Sequence, residues 1–140
     1  MQARVPVLPR DHSKTHRQAG DAWRKLMDAG ALIANGSDFP VESPNPFFGL
    51  HASIPRQDKD NGPVGGWYPE ERMTDSEALA SCTRDAAYSG FQESLLGSLE
   101  PGKKADFIVL DRDIFAIPDS EIWQAKALET WVNGSQVHGK

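Results

Sequence analysis

One acidic side chain follows a short apolar run, in a place where it could take part in chemistry. Residues 31–34 read Ala-Leu-Ile-Ala, and the next four residues are Asn-Gly-Ser-Asp, which brings Asp38 just past the run. A carboxylate at such a place can accept a proton from water or bind a divalent metal. The plainer alternative is that Asp38 caps a turn ahead of Pro40.

The histidines are the next candidates for chemistry. His12 and His16 are four residues apart, a spacing that can bind a metal on a helix. No glutamate follows His12, and both residues fall in a polar first turn, which favours an exposed surface. His51 lies in the loop after Asp38 and is a candidate for substrate contact.

The long loop also carries Arg56, Trp67 and Tyr68. These side chains could form a lid that recognises an aryl or alkyl substituent, because lids exclude water from hydrolytic sites. They could instead form a local aromatic cluster that holds the loop down. We keep Arg56 and Trp67 as candidate substrate-binding residues.

The elements predicted around Asp38 form one helix–strand unit of an α/β fold. A helix is predicted from Asp11 or Ser13 to about Ala29, and Gly30 is the expected left-handed stop. Residues 31–34 are uniformly apolar, as in a parallel strand that is buried on both faces. We therefore expect helix, buried strand and polar loop, with Asp38 just past the strand.

The rest of the chain divides into a loop, a helix and a β segment. Residues 39–73 are rich in Pro and Gly and are predicted to be a long loop. Thr74 and Glu77 form a capping box for a helix that Gly90 closes, with an apolar face of Leu79, Cys82, Ala86 and Ala87. Strands are predicted near residues 105–110 and 128–138, the second a hairpin about Asn133-Gly134.

Composition excludes several classes of protein. The 140 residues carry 15 basic and 20 acidic side chains, a net charge of −5, without a basic stripe. Nucleic acid is therefore not an expected partner. No apolar run approaches the length of a membrane span, and no secretion signal is visible, so we expect a cytoplasmic protein without membrane contact.

Several blocks of the sequence, taken in order, resemble the amidohydrolase superfamily. The branch they are most similar to is amidohydrolase family 3, the N-substituted formamide deformylase-like metal-dependent hydrolases. The first block resembles the last barrel strand, the second the loop and helix after it, and the others the C-terminal β-sandwich segment. The blocks are LMDAGALIANGSDFPVESPNPFFGLHASIPRQD, GGWYPEERMTDSEALASCTRDAAYSG, GSLEPGKKADFIVLDRD and TWVNGSQVH.

The resemblance implies a fold class and a division of the chain. The fold class is α/β, the C-terminal segment of a TIM-barrel metal-dependent hydrolase plus part of the accompanying small β-sandwich. Residues 1–92 would be the last α/β units of the barrel, with the active-site loop at 39–73. Residues 93–140 would be the β-sandwich segment. A full barrel needs roughly 200 residues or more, so this chain cannot contain one.

The resemblance also implies a reaction and a role for Asp38. Asp38 matches the family's last-strand aspartate, which binds or neighbours a divalent metal, expected to be zinc, and takes a proton from the attacking water. The substrates would be small molecules with amide-type, non-peptide C–N bonds. The family's His-x-His pair is missing here, and a catalytic zinc usually has three protein ligands. We therefore expect weak or no metal binding and no activity from this chain alone.

A rival hypothesis makes the chain a stand-alone domain without catalytic activity. An incomplete barrel exposes strand edges and apolar helix faces, which favour pairing. The chain would then form homo-oligomers or bind a partner through those edges. The coding sequence upstream of Met1 discriminates between the two hypotheses.

Overall fold

The computed structural model describes residues 22–139 of the chain. The predicted helix start at Asp11 or Ser13, together with His12 and His16, lies outside these residues. Two short 3₁₀ helices, Pro69–Glu71 and Asp119–Gln124, accompany the regular elements. Those elements are the helices α1 (Trp23–Asp28), α2 (Pro46–Ser53), α3 (Asp75–Cys82) and α4 (Arg84–Ser89), and the strands β1 (Phe107–Leu110), β2 (Ala127–Val132) and β3 (Ser135–His138).

The segment between α1 and Asp38 is not the predicted buried strand. Helix α1 ends at Asp28, and Gly30 has the expected positive φ of 86°. Residues 31–34 form no strand, and Leu32 is 56% exposed although Ile33 is buried. A parallel strand needs strands on both sides, and residues 22–139 provide none beside this segment. The prediction of a buried strand is therefore wrong for the described chain.

The predicted loop 39–73 contains a helix that belongs to the core. Asn45 accepts a hydrogen bond from the backbone N–H of Phe47 at 3.1 Å, and Pro46 occupies the first helical position. This combination of cap and proline is a strong helix start. Helix α2 then buries Phe47, Leu50, His51, Ala52 and Ser53. The prediction of a loop is wrong here, because Asn45 and Pro46 start a helix within the Pro-rich stretch.

The predicted helix over 74–90 is divided in two. Its capping box is confirmed: the Thr74 hydroxyl accepts from Glu77 N at 3.3 Å, and Thr74 N donates to the Glu77 carboxylate at 2.8 Å. Thr83, with φ −125° and ψ −90°, interrupts the helix between α3 and α4. The buried side is also displaced from the predicted face, since the buried residues are Ala78, Ser81 and Asp85.

The C-terminal strands form an antiparallel sheet in the order β1-β2-β3. Asn133 and Gly134 both have positive φ, 51° and 75°, and join β2 to β3 as the predicted hairpin. This turn geometry matches the twist of the flanking strands. Phe107 and Trp131 pair across β1 and β2 with stacked rings 5.5 Å apart. The predicted strands are confirmed, but residues 22–139 supply no second sheet for a sandwich.

One hydrophobic cluster connects the helical part to the β part. Helix α2 packs on the 3₁₀ helix Asp119–Gln124, where Ile122 is 1% exposed and Trp123 meets Phe48 at 6.4 Å between ring centroids. The cluster holds both parts together, and its buried members are Trp23, Ile33, Phe47, Leu50, Ile54, Met73, Ala78, Ile122 and Ala125.

An ion pair fastens α1 to α3. The Arg24 guanidinium donates to both carboxylate oxygens of Glu77 and to the backbone oxygen of Arg72. This contact lowers the pKa of Glu77 from 4.5 to about 2, with the Thr74 cap as a further cause. Because Glu77 also completes the capping box, one carboxylate stabilises both the start of α3 and its attachment to α1.

Replacing Glu77 by Gln tests this link. We expect Glu77→Gln to lower the free energy of unfolding by about 1–2 kcal/mol near neutral pH, since the pair is partly exposed. The pKa of Glu77 is depressed by folding, so its stabilisation is complete above pH 4.5 and is lost as the pH falls toward about 2. Urea unfolding at several pH values measures both effects.

The exposed Glu93 provides the matched control. Glu93→Gln should change neither the unfolding midpoint nor its dependence on pH. A Glu77→Gln protein that loses stability in acid as steeply as the wild type would show that the Arg24 contact does not act in solution.

Candidate active site

Asp38 lies on an exposed turn in a backbone conformation that side chains rarely adopt. Its φ is 56°, and its carbonyl accepts a hydrogen bond from Val41 N at 2.9 Å, which closes the turn. Aspartate tolerates the left-handed region better than most residues. Such conformations cluster at functional sites, which makes the turn a candidate site.

Polar contacts anchor the segment that leads to Asp38. Asn35 N donates to Ser81 O at 2.9 Å, and Asn35 Nδ2 donates to the Ser53 hydroxyl at 3.1 Å. Ser81 belongs to α3 and Ser53 to α2, so both helices hold the segment three residues before Asp38. Asn35 was not among the residues that the sequence predicted to be functional. Its one visible signal was a polar residue directly after an apolar run.

His51 is an interior residue of α2 and is 1% exposed. Its Nδ1 lies 3.0 Å from Asp119 O, and its Nε2 lies 2.9 Å from Asp58 O. A backbone carbonyl oxygen therefore lies within hydrogen-bond distance of each ring nitrogen, so a metal could reach neither without displacing one of them. The imidazole connects α2 to the loop at Asp58 and to the 3₁₀ helix before β2. The prediction that His51 lies in a loop is wrong, because His51 belongs to α2. Contact between His51 and substrate stays a prediction.

Arg56 and Trp67 form the inner part of the long loop. Arg56 is 1% exposed, and its guanidinium carbon lies 4.2 Å from the ring centroid of Trp23 and 5.0 Å from that of Trp67. Arg56 Nε donates to Trp67 O at 3.0 Å, and Trp67 N donates back to Arg56 O at 2.8 Å. Trp67 also meets Tyr68 edge-on at 4.6 Å. These contacts favour the aromatic cluster over a mobile lid, and substrate contact by Arg56 and Trp67 stays a prediction.

The donor set of the described residues does not complete a metal centre. Residues 22–139 contain no group of three or more His, Cys, Asp or Glu side chains placed to hold an ion. Asp38 offers one exposed carboxylate, whereas His51 is engaged by carbonyls. A catalytic zinc usually has three protein ligands. The described part of the chain therefore supplies fewer than the three ligands of such a site.

No helix in the part of the chain that the structure describes has the length and apolar character needed to cross a membrane. The longest of these helices, α2 and α3, have 8 residues each. A membrane-spanning helix needs about 20 residues.

Two known proteins are similar in sequence to most of this chain. The protein YtcJ of Bacillus subtilis strain 168 is 32% identical over 138 residues, covering 97% of this chain and 25% of that protein. N-substituted formamide deformylase of Arthrobacter pascens is 32% identical over 111 residues, 79% of this chain and 20% of the enzyme. This chain spans about one fifth to one quarter of the length of these relatives.

A solved structure shares the fold of the chain. The crystal structure of an amidohydrolase from Thermotoga maritima MSB8 matches with a TM-score of 0.61 at 22% identity, over 86% of this chain and 26% of that one. The sequence model of the amidohydrolase family matches residues 3–138, nearly the whole chain. The predicted resemblance is thus confirmed, and the chain belongs to the amidohydrolase family.

Proposed function

We propose that this chain is the C-terminal part of a metal-dependent amidohydrolase that hydrolyses amide-type, non-peptide C–N bonds of small molecules. The family and the deformylase relative support this class of reaction. The observation that carries the proposal is Asp38, an exposed carboxylate held at φ 56° directly after a segment anchored on two helices. Residues 1–92 would belong to the barrel, and residues 93–140 to the β-sandwich segment.

In this proposal Asp38 transfers the proton of the reaction. A carboxylate oxygen of Asp38 takes a proton from the water that attacks the amide carbonyl carbon. The same proton then passes to the leaving nitrogen as the C–N bond breaks, which releases an acid and an amine. A general base that becomes a general acid needs access to both reactants, and the exposure of Asp38 provides that access.

The metal requires ligands beyond residues 22–139. A divalent metal, in our proposal zinc, lowers the pKa of bound water toward neutrality when it is present. Asp38 could contribute one oxygen to its coordination, and the remaining ligands would come from a longer enzyme. We therefore propose that the 140-residue chain is inactive by itself.

A second candidate function is self-association without catalysis. One face of the sheet presents four apolar side chains that are 45–62% exposed: Ile108 at 45%, Leu128 at 53%, Val132 at 47% and Val137 at 62%. Such a patch on a sheet commonly marks an interface. In this alternative, two copies of the chain would cover the patch in a homo-oligomer.

The coding sequence upstream of Met1 distinguishes the two functions. The enzyme requires an in-frame continuation that encodes a His-x-His pair and the further metal ligands. We expect sequencing of the locus and its transcript to show this continuation. A stop codon in that frame, followed by a genuine translation start at Met1, would support the self-associating domain instead.

Asp38→Asn tests the proposed role of the carboxylate. In the zinc-loaded long form, we expect the turnover of an N-substituted amide to fall by about 10²–10⁴-fold, because asparagine keeps the shape but cannot accept the proton. Asp38→Glu should also be impaired, since one additional methylene displaces the carboxylate. Rates are compared at equal zinc content, determined by elemental analysis.

Glu42→Gln is the control variant, because Glu42 is an exposed carboxylate in the same loop. It should retain the wild-type rate. Equal turnover by the wild type and Asp38→Asn at equal zinc content would show that Asp38 is a turn residue without a catalytic role.

Arg56→Ala tests whether Arg56 stabilises the loop or contacts the substrate. The variant loses two cation–π contacts and the bond to Trp67 O. We expect the free energy of unfolding to fall by about 2–4 kcal/mol, because the guanidinium is desolvated between the two indole rings. Urea unfolding followed by tryptophan fluorescence measures this loss. Unchanged stability with a raised KM would instead make Arg56 a substrate ligand.

A further inference from the structure

The side chain of Asn35 makes a contact with the interior of the fold. Asn35 Nδ2 lies 3.1 Å from the hydroxyl oxygen of Ser53, a residue that is 0% exposed at the end of α2. The Ser53 hydroxyl in turn donates to Gly49 O at 2.8 Å. Because its proton goes to Gly49, the Ser53 oxygen acts as acceptor, and the amide nitrogen of Asn35 faces it.

A second contact fixes the backbone of the same residue. Asn35 N donates to Ser81 O at 2.9 Å, and Ser81 is 1% exposed in α3. Ser53 is itself tied to the chain before α3, because Met73 N donates to Ser53 O at 3.1 Å. Asn35 is therefore held by two helices that are connected to each other, which gives it a defined position.

The turn with Asp38 starts from this anchor. Only Gly36 and Ser37 separate Asn35 from Asp38, and consecutive Cα atoms are about 3.8 Å apart. The contacts of Asn35 with α2 and α3 therefore limit how far the carboxylate of Asp38 can move from these helices.

We propose that Asn35 is a positioning residue for Asp38, acting through Ser53. The inference rests on the proposed function, since it assigns Asn35 to the same site. The carboxylate must meet a water molecule and a leaving nitrogen within hydrogen-bond distance, and small displacements lower the rate of such steps. Loss of the Asn35–Ser53 bond would let the turn move and would reduce turnover without changing the groups that hold the substrate.

The first test uses the 140-residue chain and asks whether the Asn35–Ser53 hydrogen bond holds the Asp38 turn in place. It does not depend on catalysis. Asn35→Ala and Ser53→Ala each remove the bond, and Asn35→Asp removes the donor while it keeps the shape. We expect hydrogen exchange of the Val41 amide, which closes the Asp38 turn, to accelerate about tenfold in each variant. The Gly134 amide in the distant hairpin should be unchanged. The control is Ser76→Ala on the exposed side of α3.

The second test measures turnover in the zinc-loaded long form. We expect kcat to fall about tenfold with KM unchanged in Asn35→Ala and Ser53→Ala, and the double variant to be no worse than either single variant. Unchanged exchange at Val41, or additive losses in the double variant, would overturn the proposal. A wild-type enzyme that does not hydrolyse the amide would refute the proposed function, while the exchange result would still decide whether Asn35 positions the turn.

Discussion

The burial of helix α2 supports most of the described structure. Its apolar side packs on the 3₁₀ helix before β2, and its His51 ring meets two backbone carbonyls from separate segments. Its last residue, Ser53, receives the side chain of Asn35. The segment that carries Asp38, the long loop and the approach to the sheet therefore all depend on one helix of 8 residues.

Charged groups complete the attachment of α1 to this core. Arg24 binds the carboxylate of Glu77, and Lys25 Nζ lies 2.8 Å from the buried carboxylate of Glu71. Arg56 places its guanidinium between two indole rings. In each case at least one of the two partners is buried or partly buried. Charge pairing of this kind is expected where a chain has a small apolar core.

Local signals in the sequence predicted their elements well. The hairpin at Asn133-Gly134 depends on two adjacent residues that both tolerate a positive φ, and the capping box depends on residues only three positions apart. Helix α2 carried an equally local signal, an asparagine followed by proline, but the surrounding prolines obscured it. The family resemblance, which rests on several blocks in order, was confirmed.

Features that depend on distant partners could not be predicted. An apolar run becomes a buried strand only when neighbouring strands cover it, and residues 31–34 have none in residues 22–139. The contacts of His51 come from Asp58 and from Asp119, 68 residues away, through backbone oxygens that carry no sequence signal. The anchor of Asn35 on Ser53 spans 18 residues and is equally invisible in the sequence.

The role of Asp38 can be decided by the structure of the zinc-loaded long form bound to an analogue of the tetrahedral intermediate. We expect a carboxylate oxygen of Asp38 to lie within about 3 Å of the oxygen that stands for the attacking water. Metal coordination by Asp38 at about 2.0–2.2 Å would agree equally well. An Asp38 carboxylate that points to solvent, with another residue beside the water oxygen, would refute the proposed role of Asp38.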